Sequence, residues 1–270
     1  MSGVFCFVAL PAEAKPLIRR WGLQKISGGT PFPLYRGPRH SLAISGVGQI
    51  NAAAALGYAM AAGIASSDAV FLNIGIAGSR DRPLGSLLAA DKIVNAVSGK
   101  TFYPQFPFKS ELTSCELISA AAPVTDYPDP HAMYDMEAAA FYETAVKFNT
   151  CELIHCLKII SDNRLAPPEL ITENLAMAAI EGQLPAIEQF LARLTALSRN
   201  APDTDDPDYS RLLATYPLSA SNTVKLKKLL QTLRLLQPDV KLDEERTSWR
   251  NGKDLIAWLE RAIAQHPFRY

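Results

Sequence analysis

A chain of 270 residues, 48% hydrophobic and 20% charged, can bury a sizeable core, which excludes disordered and fibrous classes. Its 27 basic residues balance 27 acidic ones, so no overall field draws it to nucleic acid or an anionic membrane, and a small neutral or modestly charged ligand is expected. The four cysteines, Cys6, Cys115, Cys151 and Cys156, show no two-residue metal or redox spacing and read as buried thiols of a reducing compartment.

The first predicted element is the continuously apolar run Val4-Phe5-Cys6-Phe7-Val8-Ala9-Leu10, the pattern of a strand buried on both faces of a parallel sheet. No basic leader precedes it, so a secretory signal is not expected and the location is read as cytoplasmic. The run leads to Pro11-Ala12-Glu13 and a helix over residues 12–21. A second strand, Leu42-Ala43-Ile44, leads to the turn Ser45-Gly46-Val47-Gly48 and a helix over 50–65. That helix is mostly alanine and falls short of the ~20 apolar residues a membrane span needs.

A third strand, Ala69-Val70-Phe71-Leu72-Asn73-Ile74, leads to Gly75-Ile76-Ala77-Gly78. Further strands are expected over 92–97 and 115–119, with proline- and aromatic-rich loops over 101–109 and 122–131. Tyr134-Asp135-Met136-Glu137-Ala138-Ala139-Ala140 opens a helix over 136–149. The apolar run Leu153-Ile154-His155-Cys156-Leu157-Lys158-Ile159-Ile160 then ends in Ser161-Asp162, and a helix follows over 170–198.

This alternation predicts an α/β protein, and in open α/β sheets ligands bind beyond the carboxyl ends of the strands. One crevice should therefore gather Glu13, the two glycine-rich turns, Asp162 and Glu137. Each also has a plainer reading. Asp162 can cap the turn beginning at Asn163, Glu13 can be a first-turn acid facing a helix dipole, and Glu137 can be a helix-start acid with Asp135 as the true cap. The glycines can simply make tight turns.

Beyond residue 198 the pattern changes. Residues 199–210 are acidic, hold two prolines and read as a linker. Amphipathic helices are expected over 221–236, with Val224, Leu229, Leu230, Leu233 and Leu236 on the stripe, and from Lys253, with Leu255, Ile256, Leu259 and Ile263. His40, His131, His155 and His266 have no metal-ligand spacing, and no metal or cofactor is expected.

The ordered set Ala9-Leu10-Pro11-Ala12-Glu13, Ser45 to Ala53, Asn73 to Gly78, Met136 to Ala140 and Ser161-Asp162 resembles the nucleoside phosphorylase and nucleosidase superfamily. It is most similar to the methylthioadenosine/S-adenosylhomocysteine nucleosidase branch. The resemblance spans residues 3–197 and implies a three-layer α/β/α body with a central mixed, largely parallel sheet over 1–198. A helical appendage over 211–270 lies outside it.

The resemblance further implies cleavage of the N-glycosidic bond of a purine nucleoside, adenine-type or modified, by hydrolysis. Asp162 would be the general acid at the base and Glu13 the base that activates water. Glu137 would hold the ribose hydroxyls, with Met136 against the sugar. Ser45, Gly46 and Val47 would border the sugar and nucleophile, and Ala77, Gly78 and Ser161 the base. Phosphorolysis, with phosphate as second partner, and a catalytically silent nucleoside-binding protein with a partner-docking appendage are the alternatives. A homodimer is implied, since members of the superfamily commonly complete the pocket with a neighbouring subunit. The segment Ile118 to Val124 lacks the aromatic that would sandwich a purine, so stacking is expected from Tyr103, Phe106, Phe108 or Tyr127.

Overall fold

A computed structural model of the chain describes residues 3–66, 69–200, 207–242 and 249–265. It is an α/β protein built on one mixed sheet. In chain order the first half comprises β1 (Val4–Val8), α1 (Pro11–Trp21), β2 (Gln24–Lys25), β3 (Leu34–Arg36), β4 (His40–Ile44), α2 (Gln49–Ala61), β5 (Val70–Gly78) and β6 (Leu87–Asn95). There follow β7 (Thr101–Phe102), β8 (Ser114–Ser119), β9 (Met133–Asp135), α3 (Ala138–Ala145), β10 (Ile154–Asp162) and α4 (Glu173–Asn200). The last described elements are α5 (Pro207–Thr215), α6 (Ala220–Leu236) and α7 (Gly252–Ala264).

The apolar runs become the centre of the sheet. β1 lies between β4 and β5, and β5 between β1 and β10, all parallel, so their carboxyl ends share one edge. Every residue of β1 is buried, as its unbroken apolar sequence requires. Beyond β5 the sheet closes on itself. β10 pairs with β6, β6 with β8, β8 with β9, and β9 returns to β5 through the Gly78 and Tyr134 pairing.

Side chains of α2 and α3, including Ala52, Leu56, Ala138 and Phe141, pack with Phe5, Phe7 and Phe71 in one core. Those of α1 and α4, including Leu17, Ile180, Ile187 and Leu194, pack with Cys6, Leu72 and Leu157 in a second. The two cores use alternate residues of β1, Phe5 and Phe7 against Val4, Cys6 and Val8, as strand alternation demands.

Several elements differ from the sequence reading. The helix predicted over 136–149 is only Ala138–Ala145; beyond it the amides of Lys147 and Phe148 bond three residues back, to Thr144 and Ala145, in turns that bring Asn149 Nδ2 to the Ala69 carbonyl (2.6 Å). α2 stops at Ala61 where Gly63 takes φ +65°, a left-handed turn that glycine tolerates. Cys6, Cys115 and Cys156 are buried thiols, whereas Cys151 is only partly buried.

Short β2, β3, β7 and β9 and helix α5 carry too little periodicity to be read from sequence. α4 reaches Asn200 and α5 begins at Pro207, a favourable first helical residue. Residues 201–206 of the predicted linker lie outside the described residues. α5, α6 and α7 share a cluster of their own, with Leu212, Leu230, Trp249, Leu255 and Leu259. α6 also reaches the sheet-bearing part, where Lys228 Nζ donates to the Val146 carbonyl (2.6 Å) and Thr232 Oγ1 to Glu152 (3.3 Å). Among the described residues no helix is long and apolar enough to cross a membrane.

Candidate active site

The carboxyl ends of β1, β5 and β10 open on a cavity of about 170 Å³. Glu13, Val47, Ala77, Gly78, Met136, Glu137, Ser161 and Asp162 all line it. Ser45 and Gly46 do not. Ser45 Oγ turns back to donate to the Gly46 carbonyl (2.7 Å); of that turn only Val47 lines the cavity, while the Gly48 amide donates to Glu137 Oε1 (2.7 Å). A larger cavity of about 520 Å³ lies at the amino ends of β1 and β4, but the carboxylate on its wall, Glu188, is taken up by Arg20 and Trp21. The smaller cavity holds the chemically equipped groups.

Glu13 is both a helix-start acid and a cavity-lining carboxylate. As third residue of α1 it receives the Leu10 and Ala9 amides on Oε2 (2.8 and 3.0 Å), the duty of a helix-start acid. Its Oε1 crosses to β5 and accepts the Ile76 amide (2.9 Å). Burial holds its carboxyl above the usual carboxylate range, against Lys158 and the three amides, which pull it down.

Lys158 is the residue that sequence reasoning missed. It sits in β10, inside a run otherwise read as a plain buried strand, and its side chain is buried. Nζ pairs with Asp135 Oδ2 at 2.9 Å. Burial opposes its charge, yet the carboxylates of Asp135, Glu137 and Glu13 hold its ammonium above the ordinary lysine range. A lone lysine in an apolar strand was the available signal, because such a charge is retained only where partners meet it.

Glu137 holds the N-cap position of α3 but its side chain does not cap; Asp135 Oδ2 instead accepts the Ala138 amide (2.9 Å) while Oδ1 accepts Ser119 Oγ (2.5 Å). That frees the Glu137 carboxylate to face the cavity. Burial first, then the Asp135 charge, push Glu137 up to about 7, with Lys158 and the Gly48 amide opposing. One buried ammonium thus serves three buried carboxylates.

Gly75 makes this clustering possible. A Cβ there would lie 2.8 Å from Glu13 Oε1 and 3.3 Å from Lys158 Nζ. Glu13 cannot retreat without breaking its amide bonds. Gly75→Ala is expected to destabilise the fold by about 1–3 kcal/mol, the usual cost of overpacking, as urea unfolding would establish.

Asp162 is re-aimed by a bulge. The β10 to β5 register shifts between Ile160 and Asp162, which inserts Ser161 and turns the Asp162 carboxyl towards Gly78. Capping of the next turn falls to Asn163, whose Oδ1 accepts the Leu165 and Ala166 amides (3.0 and 3.1 Å). Both Asp162 oxygens accept hydroxyls, Oδ1 from Ser161 (2.5 Å) and Oδ2 from Tyr127. Of the four aromatics considered for stacking, only Tyr127 is here. Phe106 and Phe108 pack on Phe190, and Tyr103 is exposed.

Solved structures decide what this frame is. A methylthioadenosine/S-adenosylhomocysteine nucleosidase from Colwellia psychrerythraea, in complex with adenine, matches with a TM-score of 0.59 at 15% identity, over 72% of this chain and 96% of that one. The chain has the nucleosidase fold. A futalosine hydrolase of Helicobacter pylori matches at 0.57 and 15% identity (71% and 98% covered), and a methylthioadenosine nucleosidase of Arabidopsis thaliana at 0.57 and 17% (71% and 96%). No protein-family model and no curated protein matches the sequence. Among the described residues, no group of three or more His, Cys, Asp or Glu is placed to hold a metal ion.

Proposed function

We propose that this protein hydrolyses the N-glycosidic bond of a purine nucleoside, adenine-type or modified, to free base and sugar, in the cytoplasm and without a cofactor. The observation that carries the reading is the placement of Glu13, Glu137 and Asp162 around one cavity on a nucleosidase fold. Both carboxylates line that cavity, Glu13 beside Gly75 and Asp162 beside Gly78 of β5.

Asp162 donates to the leaving base, and Glu13, whose burial favours taking up a proton, draws one from the attacking water. Glu137 accepts the ribose hydroxyls and stabilises the positive charge that develops on the sugar, with Met136 against the ring. Val47 borders the sugar, and Ala77, Gly78 and Ser161 border the base. Lys158 keeps Glu137 and Glu13 able to ionise despite one another.

Phosphorolysis is disfavoured by charge. A phosphate dianion would meet four carboxylates, and no arginine or lysine lines the cavity among the described residues. Lys15, Arg19 and Arg20, close to Glu13 in sequence, turn away to pair with Glu173, Glu181 and Glu188 of α4.

We read the architecture as a three-layer body that ends with α4 and a helical appendage of α5, α6 and α7. The active form is a homodimer. Val47 lines the cavity yet is 44% exposed, and Ile50, Leu165 and Leu170, close in sequence to lining residues, are exposed apolar side chains that a second copy would cover. Light scattering should return twice the 29.4 kDa chain mass.

Product analysis of a nucleoside panel, with and without phosphate, tests the reaction. Free base and free sugar without phosphate are expected. Sugar 1-phosphate would move the protein to phosphorolysis, and tight binding without product would make it a binding protein. Because Glu137 must be ionised to accept hydroxyls, kcat/KM should rise with pH through about 7. Asp135→Asn should move that limb to lower pH by removing a repelling charge. The same upward shift makes Glu137 favour the folded state at low pH, a contribution lost as pH rises from 4.5 through about 7.

A further inference from the structure

The cavity is small for its proposed ligand, about 170 Å³ against the ~300–1,000 Å³ of typical ligand pockets. One buried side chain lies against two of its lining residues, Gly78 and Asp162. Tyr127 is 1% exposed, and its ring lies against β5: a Cβ on Gly78 would come within 2.6 Å of Tyr127 Cε1. Its hydroxyl donates to Asp162 Oδ2. Both positions that the proposed reaction reserves for the leaving base, the Gly78 backbone and the Asp162 carboxylate, are thus held by a phenol.

We propose that Tyr127 is a specificity-determining residue that occupies the leaving-base side of the cavity and yields it only to a flat heteroaromatic base with an N–H donor. This rests on the nucleosidase reading of the same site. The ring of such a base replaces the phenol face over Gly78, and its N–H replaces the hydroxyl on Asp162 Oδ2, which leaves Oδ1 to carry the proton that Asp162 donates to a ring nitrogen of the same base. A base that offers only acceptors leaves Asp162 without its donor and does not displace Tyr127.

The backbone is suited to release. Tyr127 has φ +41°, the one non-glycine residue at positive φ among those described, a conformation that L side chains rarely adopt. It lies in the proline-bearing segment between β8 and β9 and packs on Ala132, Tyr134, Ile118 and Val124, a cluster separate from the two sheet cores. The segment can therefore move without opening either core. Apparent affinity is then the intrinsic affinity reduced by the fraction of molecules in which the phenol has left.

The test is calorimetric titration of full-length wild type, Tyr127→Phe and Tyr127→Ala with adenine, alongside steady-state kinetics on the best nucleoside of the panel. Tyr127→Phe keeps the ring and loses only the hydroxyl–carboxylate bond, so adenine should bind about tenfold more tightly, the scale of a hydrogen bond to a charged group. Tyr127→Ala should tighten binding further, and KM should fall in parallel while kcat changes less. If Tyr127→Ala fails to fold, Tyr127→Phe alone decides.

Equal or weaker adenine binding in the folded variants, or no adenine binding in any form, would overturn the proposal. Tighter binding with no turnover in any form would leave it standing and sink the hydrolase reading. Turnover by wild type without tightening in the variants would do the reverse.

Discussion

Replacing Lys158 by Met should destabilise the folded protein by about 3–5 kcal/mol, the usual consequence of removing one partner from a buried ionic cluster. The side chain is buried, so no solvent replaces it, and methionine fills a similar volume, which limits the effect of a cavity. What remains are Asp135, Glu137 and Glu13 facing one another without a counter-charge. Lys158 lowers the pKa of Glu137 and of Glu13, so both rise further in its absence. The deficit should accordingly be larger at pH 8 than at pH 5, where protonation relieves the repulsion. Urea unfolding at the two pH values measures this. An unchanged midpoint at pH 8 would mean that the cluster is not held by this charge.

Asp162→Asn should lower kcat by about 10²- to 10⁴-fold, the range for loss of a general acid. This substitution isolates chemistry from structure. Both carboxyl oxygens of Asp162 meet hydroxyls, from Ser161 and Tyr127, and a hydroxyl can turn from donor to acceptor when it faces an amide NH₂. The network survives and the melting temperature should move little. Glu13→Gln would be a less clean probe, since three backbone amides donate to that carboxylate and an amide NH₂ would oppose at least one of them. Near wild-type turnover by Asp162→Asn on the best nucleoside would remove Asp162 from the reaction.

The sequence alone determined the strands that carry the site. Apolar runs as unbroken as Val4 to Val8 are stable only when covered on both faces, so β1, β5 and β10 had to be central and their carboxyl ends had to share an edge. The carboxylates at or just past those ends, Asp162 and Glu13, and the helix-start Glu137 were legible as groups facing that edge.

Only the tertiary structure decided how these groups are tuned. Nothing local to β10 says that Lys158 meets Asp135, because the two are 23 positions apart and are joined only through the closure of β5, β9, β8, β6 and β10. Nothing in a proline-rich loop says that Tyr127 will lie on Gly78 and donate to Asp162. Periodicity records which face of an element is buried. It does not record which buried charge meets which, and that pairing sets whether a carboxylate at a strand end is a cap, an acid or a base.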